Sequence, residues 1–403
     1  MARPPGSGDI AVVGSANADL VVSVARLPRP GETIAAADLK TCAGGKGANQ
    51  AAAAARCLLP GRGRDGELAQ PQQQRRSRLV ALFGDDASGA ALRRALGESG
   101  VDLSLSRTLP DAPTGTALIS VLPSGENTIV IAGGANQSDA GWEAVLGRPA
   151  EGDAGGPATA PPAAALLSAG GGGAAAAVCA LLLQREIPDW ANARAAALAA
   201  RSGAAVVLDA GGADAPLSDA LLASVAVLSP NETELARLAA DGGAGPPPPR
   251  GELDEGASSG VLSDATRAWV ERAARLLLAR LEGAASAADK DTRPRAVLVK
   301  LGAAGSALFS GSPSSPSPPP SLWQPALAPE GPVVDTTGAG DCFTAAFAVA
   351  RFAEGRGARE ALLFASAAAC LCVQRAGAQP SMPRRDEVEA LLLRQQRSEG
   401  GAP

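Results

Sequence analysis

Histidine and tyrosine are absent from this 403-residue chain, and aromatic residues make up only 2% of it. Without histidine the chain cannot form a Cys/His zinc site or a Ser-His or Cys-His catalytic dyad. Any general base must therefore be Asp, Glu, Lys or Cys. The 46% of apolar residues suffice for a sizeable core, but with so few large side chains that core must consist mainly of Ala, Val and Leu.

The six cysteines include no C-x-x-C pair, so we expect buried thiols in a reducing compartment rather than disulfides or a metal site. The net charge of −5 argues against nucleic acid as a partner, because phosphate backbones attract basic surfaces.

A run without charge at residues 154–183 is long enough to cross a bilayer. It consists mostly of Ala, Gly and Pro, whereas inserting segments are rich in Leu, Ile, Phe and Val, so we expect a flexible surface insertion and no membrane partner. The first strand-like run starts at Ile10, which leaves too few residues for a targeting peptide. We therefore expect a cytoplasmic protein with access to the nucleus; a plastid protein is the alternative if the N-terminus is truncated.

Short apolar runs alternate with helical patterns along the chain. The predicted buried strands are residues 10–13, 79–83, 204–209, 225–229 and 296–300. This alternation predicts an α/β fold with a Rossmann-like, doubly wound and mostly parallel sheet, in a single domain over residues 9–395. Five segments rich in Gly, Pro, Ser or Gln are predicted as insertions that form loops or disorder, at residues 60–78, 147–177, 241–260, 283–295 and 311–325.

Residues 18–42 and 114–132 differ from the rest because they show an extended, hairpin-like pattern. The second segment carries a turn at residues 123–126 between two strand patterns, 116–122 and 127–131. Together they predict a small β-sheet that stands off the main sheet and acts as a lid.

The strongest chemical motif is D-T-T-G-A-G-D at residues 335–341, directly before a helical pattern. Its small residues let the backbone approach a ligand, and the N–H groups at a helix start stabilise phosphate. Asp341 would lie beside this anion hole and accept a proton from a substrate hydroxyl, as phosphoryl transfer requires. Taken alone, the motif is better explained as an ordinary helix start with an N-terminal aspartate, but the other motifs reverse that balance.

Two further motifs indicate a site for a polyhydroxylated ligand. G-G-K-G-A-N at residues 44–49 opens an Ala-rich helix but lacks the spacing of a Walker A loop. Its Asn49 supplies a donor and an acceptor, although a plain Gly-rich turn explains the motif equally well. Asn17 and Asp19 follow the first strand, where ligands bind in open α/β sheets, and would hold vicinal hydroxyls; an Asx turn is the alternative.

Two motifs after later strands indicate a nucleotide. Asn231 is placed to cap a helix, and with Glu234 one turn later it would hold magnesium through water. K-L-G-A-A-G at residues 300–305 has glycines that suit a loop packed on a nucleotide.

With P-G-E-T at 30–33, F-G-D-D at 83–86 and G-A-Q-P-S at 377–381, these motifs stand in the order found in the PfkB sugar-kinase family. The chain resembles the ribokinase branch of that family over nearly its whole length outside the insertions. The resemblance implies phosphorylation of D-ribose at O5 by ATP, which gives D-ribose 5-phosphate and ADP. Asp341 would be the general base, and Gly338, Ala339 and Gly340 would form the anion hole.

The resemblance also assigns ligand-binding residues. The sugar would be bound by Asn17, Ala18, Asp19, Gly45, Lys46, Gly47, Ala48, Asn49, Glu186 and Asp341. The nucleotide would contact Asp209, Asn231, Lys300, Leu301, Gly302, Ala303, Ala304, Gly305, Gly340, Asp341 and Ser366. Glu234 would help to organise Mg²⁺, and a K⁺ site would be formed, largely by backbone oxygens, by Asp335, Thr337, Cys372, Arg375, Gly377 and Ser381.

Three departures from the family pattern are present. D-A-G-G at residues 209–212 replaces the Asn-Pro sequence usual in bacterial members, Ser366 replaces a frequent Asn or His, and a Gly/Ala-rich run precedes Glu186 where the family has a helix.

Two alternatives to a ribose kinase follow from the same residues. One is another sugar or nucleoside kinase of the family, but the lid segments contain no aromatic residue to hold a base. The other is a non-catalytic, sugar-binding regulatory protein, against which the intact Asp341 and its glycines argue. Because the lids of this family often pair, the resemblance also implies a homodimer formed through the lid.

Overall fold

The computed structural model describes residues 8–59, 75–123, 127–148, 161–168, 177–240, 242–248, 260–285, 294–311 and 320–400, with side chains to 397. The strands are β1 (Asp9–Val13), β2 (Asn17–Ser23), β3 (Asp38–Gly44), β4 (Ser77–Val80), β5 (Leu82–Gly84), β6 (Val101–Asp102), β7 (Arg107–Leu109), β8 (Gly115–Val121), β9 (Asn127–Ala132), β10 (Val178–Arg185), β11 (Ala205–Gly212), β12 (Val227–Ser229), β13 (Ala296–Lys300), β14 (Ser306–Ser310) and β15 (Leu322–Gln324). The helices are α1 (Lys46–Leu58), α2 (Ala87–Glu98), α3 (Asp139–Leu146), α4 (Pro162–Ser168), α5 (Asp189–Arg201), α6 (Asp219–Leu222), α7 (Glu232–Ala239), α8 (Asp264–Ala284), α9 (Ala339–Ala348), α10 (Ala358–Cys372) and α11 (Arg385–Gly400).

A nine-stranded sheet forms the centre of the fold, in the order β15-β14-β13-β12-β11-β10-β1-β4-β6. Its strands are parallel except where β14 pairs with β13 and β15. Helices cover both faces, so successive strand residues enter opposite cores: Ala11 and Val13 pack with α3 to α8, while Ile10 and Val12 pack with α1, α2 and α9 to α11. The predicted fold class is confirmed.

A second sheet of four strands, in the order β3-β2-β8-β9, stands off the main sheet as predicted. The β2–β3 and β8–β9 pairs are antiparallel hairpins, and β2 and β8 join them in parallel. Residues 124–126 of the predicted turn lie outside the described residues. Because every residue of β9 is exposed, much of this lid sheet lacks a covering layer.

Part of the uncharged run at 154–183 belongs to the core, so its prediction as a surface insertion was wrong there. β10 lies between β1 and β11 in the main sheet, and its Leu181, Leu182 and Leu183 are fully buried. β10 ends directly before Glu186, so a strand separates Glu186 from the Gly/Ala-rich run that departs from the family pattern. A strand buried on both faces shows no alternation of apolar and polar residues, so the Gly/Ala-rich sequence before it hid its start.

Two predicted insertions also contain whole ordered elements, and β4 and α8 extend into two others, over residues 77–78 and 283–284. In the 147–177 segment, α4 buries Ala163, Ala164 and Leu167 against the core that includes α3 and α5. In the 311–325 segment, β15 pairs with β14. The loop predictions were wrong for these residues, whereas most of the other insertion sequence, including the glycines at 170–173, lies outside the described residues. In the part of the chain that the structure describes, no helix is long and apolar enough to cross a membrane.

Candidate active site

The predicted site residues converge at one end of the main sheet. The strands β1, β10, β12 and β13 all end there, and near these ends lie Asn17, Glu186, Asn231 and Lys300. Asp209, in the last part of β11, reaches the same place because its carboxylate pairs with Lys300. The amino-terminal ends of α1 and α9 complete the site, which has the location expected for ligands in an open α/β sheet.

Asp341 lies in the first turn of α9 and is 6% exposed. Asn49 Nδ2 donates a hydrogen bond to its Oδ2 (3.0 Å), and Gln50 Nε2 donates to its Oδ1 (3.1 Å). Burial raises the pKa of Asp341 and the charge of Asp209 raises it further, against the opposing effect of Lys46 and the two amides. The carboxylate is thus fixed in orientation and has a raised basicity, as a general base requires.

The anion hole depends on the backbone of the residue before α9. Gly338 adopts a left-handed conformation with φ of 78°, which favours glycine. This turn directs the chain into α9, where the N–H of Ala339 donates to Thr336 O (3.2 Å) and the N–H of Gly340 belongs to the helix end that lacks intrahelical acceptors. The start of α9 therefore offers a positive end to an anion beside Asp341.

Asp209 is a second buried carboxylate of the site. Lys300 Nζ lies 2.6 Å from its Oδ2, which also accepts from Thr344 Oγ1 (3.1 Å), while the N–H of Gly211 donates to Oδ1 (2.9 Å). Burial alone would raise the pKa of Asp209, but the charges of Lys300 and Lys46 and these hydrogen bonds lower it. The aspartate that replaces the usual Asn is therefore neutralised by an ion pair.

The sugar side of the site is built on Glu186 and Asn17. Glu186 Oε2 accepts from Ser15 Oγ (2.5 Å) and from the N–H of Lys46 (3.1 Å), so the predicted placement of Glu186 at the site is supported. Asn17 Oδ1 accepts from Asn136 Nδ2 (2.7 Å). The two contacts of Glu186 thereby hold the start of α1 next to the segment that follows β1.

Two further charged side chains, Asp19 and Lys46, interact electrostatically with the carboxylates of the site. Burial raises the pKa of Asp19 to about 7, and the charges of Glu186 and Asp341 contribute. Lys46 has its pKa raised by Asp341 first and also by Asp209, against the cost of burial. Asp19 thus lies among acidic groups, whereas the positive charge of Lys46 is stabilised by the charges of the two buried carboxylates.

Asn231 and Glu234 form a helix cap, the structural alternative weighed above. Asn231 Oδ1 accepts from the N–H of Glu234 (2.8 Å), and Glu234 Oε2 accepts from the N–H of Asn231 (2.9 Å). Glu234 Oε1 points elsewhere: a Cβ built on Gly211 would lie 2.9 Å from it and 2.8 Å from Lys46 Nζ. One carboxylate oxygen of Glu234 therefore still faces the site.

Other nucleotide residues are less clearly placed. The Leu301 side chain is 1% exposed and belongs to the core, so only its backbone is available to a ligand. Gly302, Ala303 and Ala304 form a short 3₁₀ turn, closed by a hydrogen bond from Leu301 N to Gly305 O (2.8 Å). Ser366 is buried within α10, and none of the contacts seen among the described residues joins it to the site.

The residues of the predicted K⁺ site lie on two adjoining loops. Asp335 Oδ1 accepts from the N–H of Thr337 (2.9 Å), and its Oδ2 accepts from the N–H of Gly377 (2.8 Å). Cys372 Sγ lies 3.0 Å from Ser381 Oγ, while the Arg375 guanidinium turns away to Glu387. Within the described residues no three His, Cys, Asp or Glu side chains form a metal cluster, so backbone oxygens would have to supply most ligands there.

Known proteins share both the sequence and the fold. The model of the "pfkB family carbohydrate kinase" matches residues 7–245 and 265–385. The chain belongs to this family, in its ribokinase group. It is 38% identical to the ribokinase of Arabidopsis thaliana, over 95% of this chain and 80% of that protein. It is 30% identical to the ribokinase of Bacillus subtilis, over 95% of this chain and 99% of that protein.

The same relationship holds in three dimensions. The structure of Arabidopsis thaliana ribokinase complexed with ribose and ATP aligns with a TM-score of 0.67 and 36% identity, over 96% of this chain and 99% of that one. Ribokinase from Thermotoga maritima aligns with a TM-score of 0.65 and 29% identity, over 96% of this chain and 99% of that chain. The family resemblance inferred from the motifs is confirmed.

Three residues of this PfkB-family site were not assigned from the sequence: Ser15, Gln50 and Asn136. Gln50 is fully buried, and besides Asp341 its Nε2 reaches Asp209 Oδ2 (3.4 Å), while its Oε1 accepts from Gln184 Nε2 (2.7 Å). Ser15 lies two residues before the assigned Asn17, and Gln50 directly follows the assigned Asn49. The available signal for Gln50 was a polar residue within the Ala-rich helix pattern. Asn136 had none, because it reaches Asn17 from 119 residues away.

Proposed function

We propose that this protein transfers the γ-phosphoryl group of ATP to O5 of D-ribose, which yields D-ribose 5-phosphate and ADP. The observation that carries this proposal is the Asp341 carboxylate, fixed by Asn49 and Gln50 at the start of α9. Its ribokinase relatives, and the Arabidopsis structure with ribose and ATP, support the choice of substrates.

In this mechanism Asp341 accepts the proton of the O5 hydroxyl while O5 attacks the γ-phosphorus and the bond to ADP breaks. The N–H groups at Gly338, Ala339 and Gly340 stabilise the charge on the phosphoryl oxygens, as an anion hole does. Asn17, Asp19 and Glu186 hold the sugar hydroxyls by hydrogen bonds. Since Asp341 is held by two amide donors, little reorientation is needed before proton transfer.

Magnesium and potassium would support this reaction. The free Oε1 of Glu234 fits a role beside Mg²⁺, which takes few protein ligands and is otherwise bound by phosphates and water; the ion would neutralise phosphate charge. The oxygen-rich loops at 335–337 and 372–381 fit K⁺, held by Asp335, Thr337, Cys372, Arg375, Gly377 and Ser381. Because Asp335 fixes the loop that precedes Gly338, bound K⁺ would shape the anion hole without contacting substrate.

The lid favours a small polar sugar. In the described strands of the lid sheet no aromatic side chain is present to stack on a base, whereas a nucleoside kinase would need one. A kinase acting on another sugar, and a sugar-binding protein without activity, are the alternatives that the following assay separates.

The test is release of ADP by purified protein with Mg²⁺ and K⁺, across ribose, deoxyribose, fructose and adenosine. We expect turnover with ribose, and a loss of about 10²–10⁴-fold in kcat for Asp341→Asn, the range for a general base. Turnover with a different substrate would overturn the assignment of ribose. Binding of ATP by folded protein without turnover of any substrate would favour the regulatory protein.

We also propose a homodimer formed through the lid sheet in a cytoplasmic protein. Large apolar side chains lie exposed on this sheet, namely Leu39, Leu118, Ile129, Val130 and Ile131. Leu39, Leu118 and Val130 share one face of the sheet, while Ile129 and Ile131 lie on the other. A second copy of the same sheet would cover the first face, since an exposed apolar patch of this kind marks an interaction surface. Light scattering should give twice the monomer mass, and Val130→Lys with Leu118→Lys should give monomer; a monomeric wild-type protein would overturn the dimer.

A further inference from the structure

The Lys300 ammonium lies at the start of α9 rather than in solvent. Lys300 ends β13, and its side chain is 13% exposed. A Cβ built on Gly340 would lie 3.7 Å from Lys300 Nζ. The charge is therefore next to a backbone that forms the anion hole.

A saturated carboxylate fixes this ammonium in place. Asp209 Oδ2 accepts from Lys300 Nζ (2.6 Å), Thr344 Oγ1 (3.1 Å) and Gln50 Nε2 (3.4 Å), and Oδ1 accepts from the N–H of Gly211 (2.9 Å). Asp209 is 2% exposed, so it has no room to bind a ligand of its own. An ammonium has three N–H donors, and the contacts seen among the described residues use one of them, for Asp209.

The two site lysines lie in different surroundings. Lys46 begins α1 in the proposed sugar-binding motif, and a Cβ built on Gly211 would lie 2.8 Å from its Nζ and 2.9 Å from Glu234 Oε1. Lys300 lies beside Gly340, where the γ-phosphoryl group would be held. A cation that is fixed before the reaction stabilises the charge on phosphoryl oxygens without reorganisation.

We propose that Lys300 is a catalytic residue that donates from its ammonium to an oxygen of the transferring phosphoryl group, and that Asp209 is its positioning residue. This inference rests on the proposed function, because it needs a phosphoryl group at the start of α9. It gives a physical reason for an aspartate at 209: a neutral side chain would position the ammonium less firmly.

The competing explanation is that Lys300 only neutralises a buried aspartate. The two explanations differ in the double variant Asp209→Asn/Lys300→Met, which contains neither charge. If neutralisation is the whole role, this variant recovers the wild-type kcat. If Lys300 acts on the phosphoryl group, the double variant stays slow.

The experiment compares Lys300→Met, Lys300→Arg, Asp209→Asn and the double variant by kcat, by KM for ribose and ATP, and by thermal melting. We expect Lys300→Met and the double variant to lose about 10²–10³-fold in kcat, as for removal of an oxyanion donor, with little change in KM for ribose. Lys300→Arg should recover part of that loss. Should Lys300→Met fail to fold around an unpaired carboxylate, the double variant still supplies the measurement.

A binding assay separates failure of this inference from failure of the proposed function. By calorimetry, with a non-hydrolysable ATP analogue and with adenosine as probes, the double variant should bind the analogue about tenfold more weakly than Asp209→Asn, the usual effect of one charged hydrogen bond. Its affinity for adenosine should not change. A double variant with the kcat of the wild type, or with the same affinity for the analogue as Asp209→Asn, overturns the role of Lys300 even if the sugar proves not to be ribose.

Discussion

Asp341 and Asp209 are two buried carboxylates that share one amide donor, Gln50 Nε2, yet their pKa values shift in opposite directions. Burial raises the pKa of both. Asp209 has the Lys300 ammonium at 2.6 Å, and this direct ion pair contributes to a lowered pKa. Lys46 and two neutral amides also lower the pKa of Asp341, but they do not outweigh the effects of burial and of the Asp209 charge. The comparison indicates that burial alone does not set the direction of the shift; a directly paired ammonium can reverse it.

Removing the amide that Asp341 and Asp209 share should have a large effect on activity. In Gln50→Met both carboxylates lose a donor, so we expect kcat to fall about 10²-fold, since a small misplacement of a reacting group costs that much. Gln50 lowers the pKa of Asp341, so its loss raises that pKa further. Because the base must be ionised to accept a proton, the acidic limb of the kcat profile should move to higher pH.

The measurement is kcat against pH for wild type and Gln50→Met, with Gln324→Met on β15 as a matched control that removes a distant amide. Gln50→Met should also lower the free energy of unfolding by roughly 1–3 kcal/mol, because the Gln184 amide loses its acceptor. An unshifted acidic limb would contradict the role given to Gln50.

Asp19 is a third carboxylate of the site. Its pKa is raised, like that of Asp341, but no ammonium is among the causes of the shift. With a pKa of about 7, Asp19 is mostly protonated at pH 6 and mostly ionised at pH 8. The ionised form accepts hydrogen bonds from sugar hydroxyls, so affinity for ribose should rise about tenfold over that range, in proportion to the ionised fraction. Calorimetry across this range measures it.

Asp19→Asn serves as the control for this titration. It should bind ribose more weakly than wild type at pH 8, and its affinity should not vary between pH 6 and pH 8. If the variant retains the slope of the wild type, another group is responsible for the pH dependence.

The sequence sufficed for those parts of the site that have local signals. Gly338 and Asp341 stand in one short motif before a helix, and Asn17 follows a strand, so spacing alone placed them near one another. The contacts that tune the two carboxylates are non-local: Gln50 reaches Asp209 across 159 residues, and Lys300 reaches it across 91. Such pairs form only once the sheet order is set, and propensity and spacing do not contain that order.

The same limit explains the errors in the fold. The β2–β3 and β8–β9 hairpins were predictable because alternation and a turn are local features. β10 was missed because it is buried on both faces and follows a Gly/Ala-rich run, so that neither alternation nor a turn marked it. This interior strand of the main sheet was thus less visible in the sequence than the exposed lid sheet.

The smallest expected effect comes from Gly211, which separates the surroundings of the two carboxylates. A Cβ there would lie 2.8 Å from Lys46 Nζ and 2.9 Å from Glu234 Oε1, so Gly211→Ala should displace the Lys46 ammonium and change its interaction with Asp341 and Asp209. We expect a loss of several-fold in kcat/KM and of about 1–3 kcal/mol in the free energy of unfolding, typical of overpacking. Kinetics and thermal melting test this prediction. The control is Gly97→Ala in α2, where a Cβ meets nothing within 4 Å. Alanine at this position should stabilise the helix by about 0.5–1 kcal/mol. If Gly211→Ala behaved like Gly97→Ala, the position of Lys46 would not depend on this glycine, and the division of charge between the two carboxylates would have to rest on Lys300 alone.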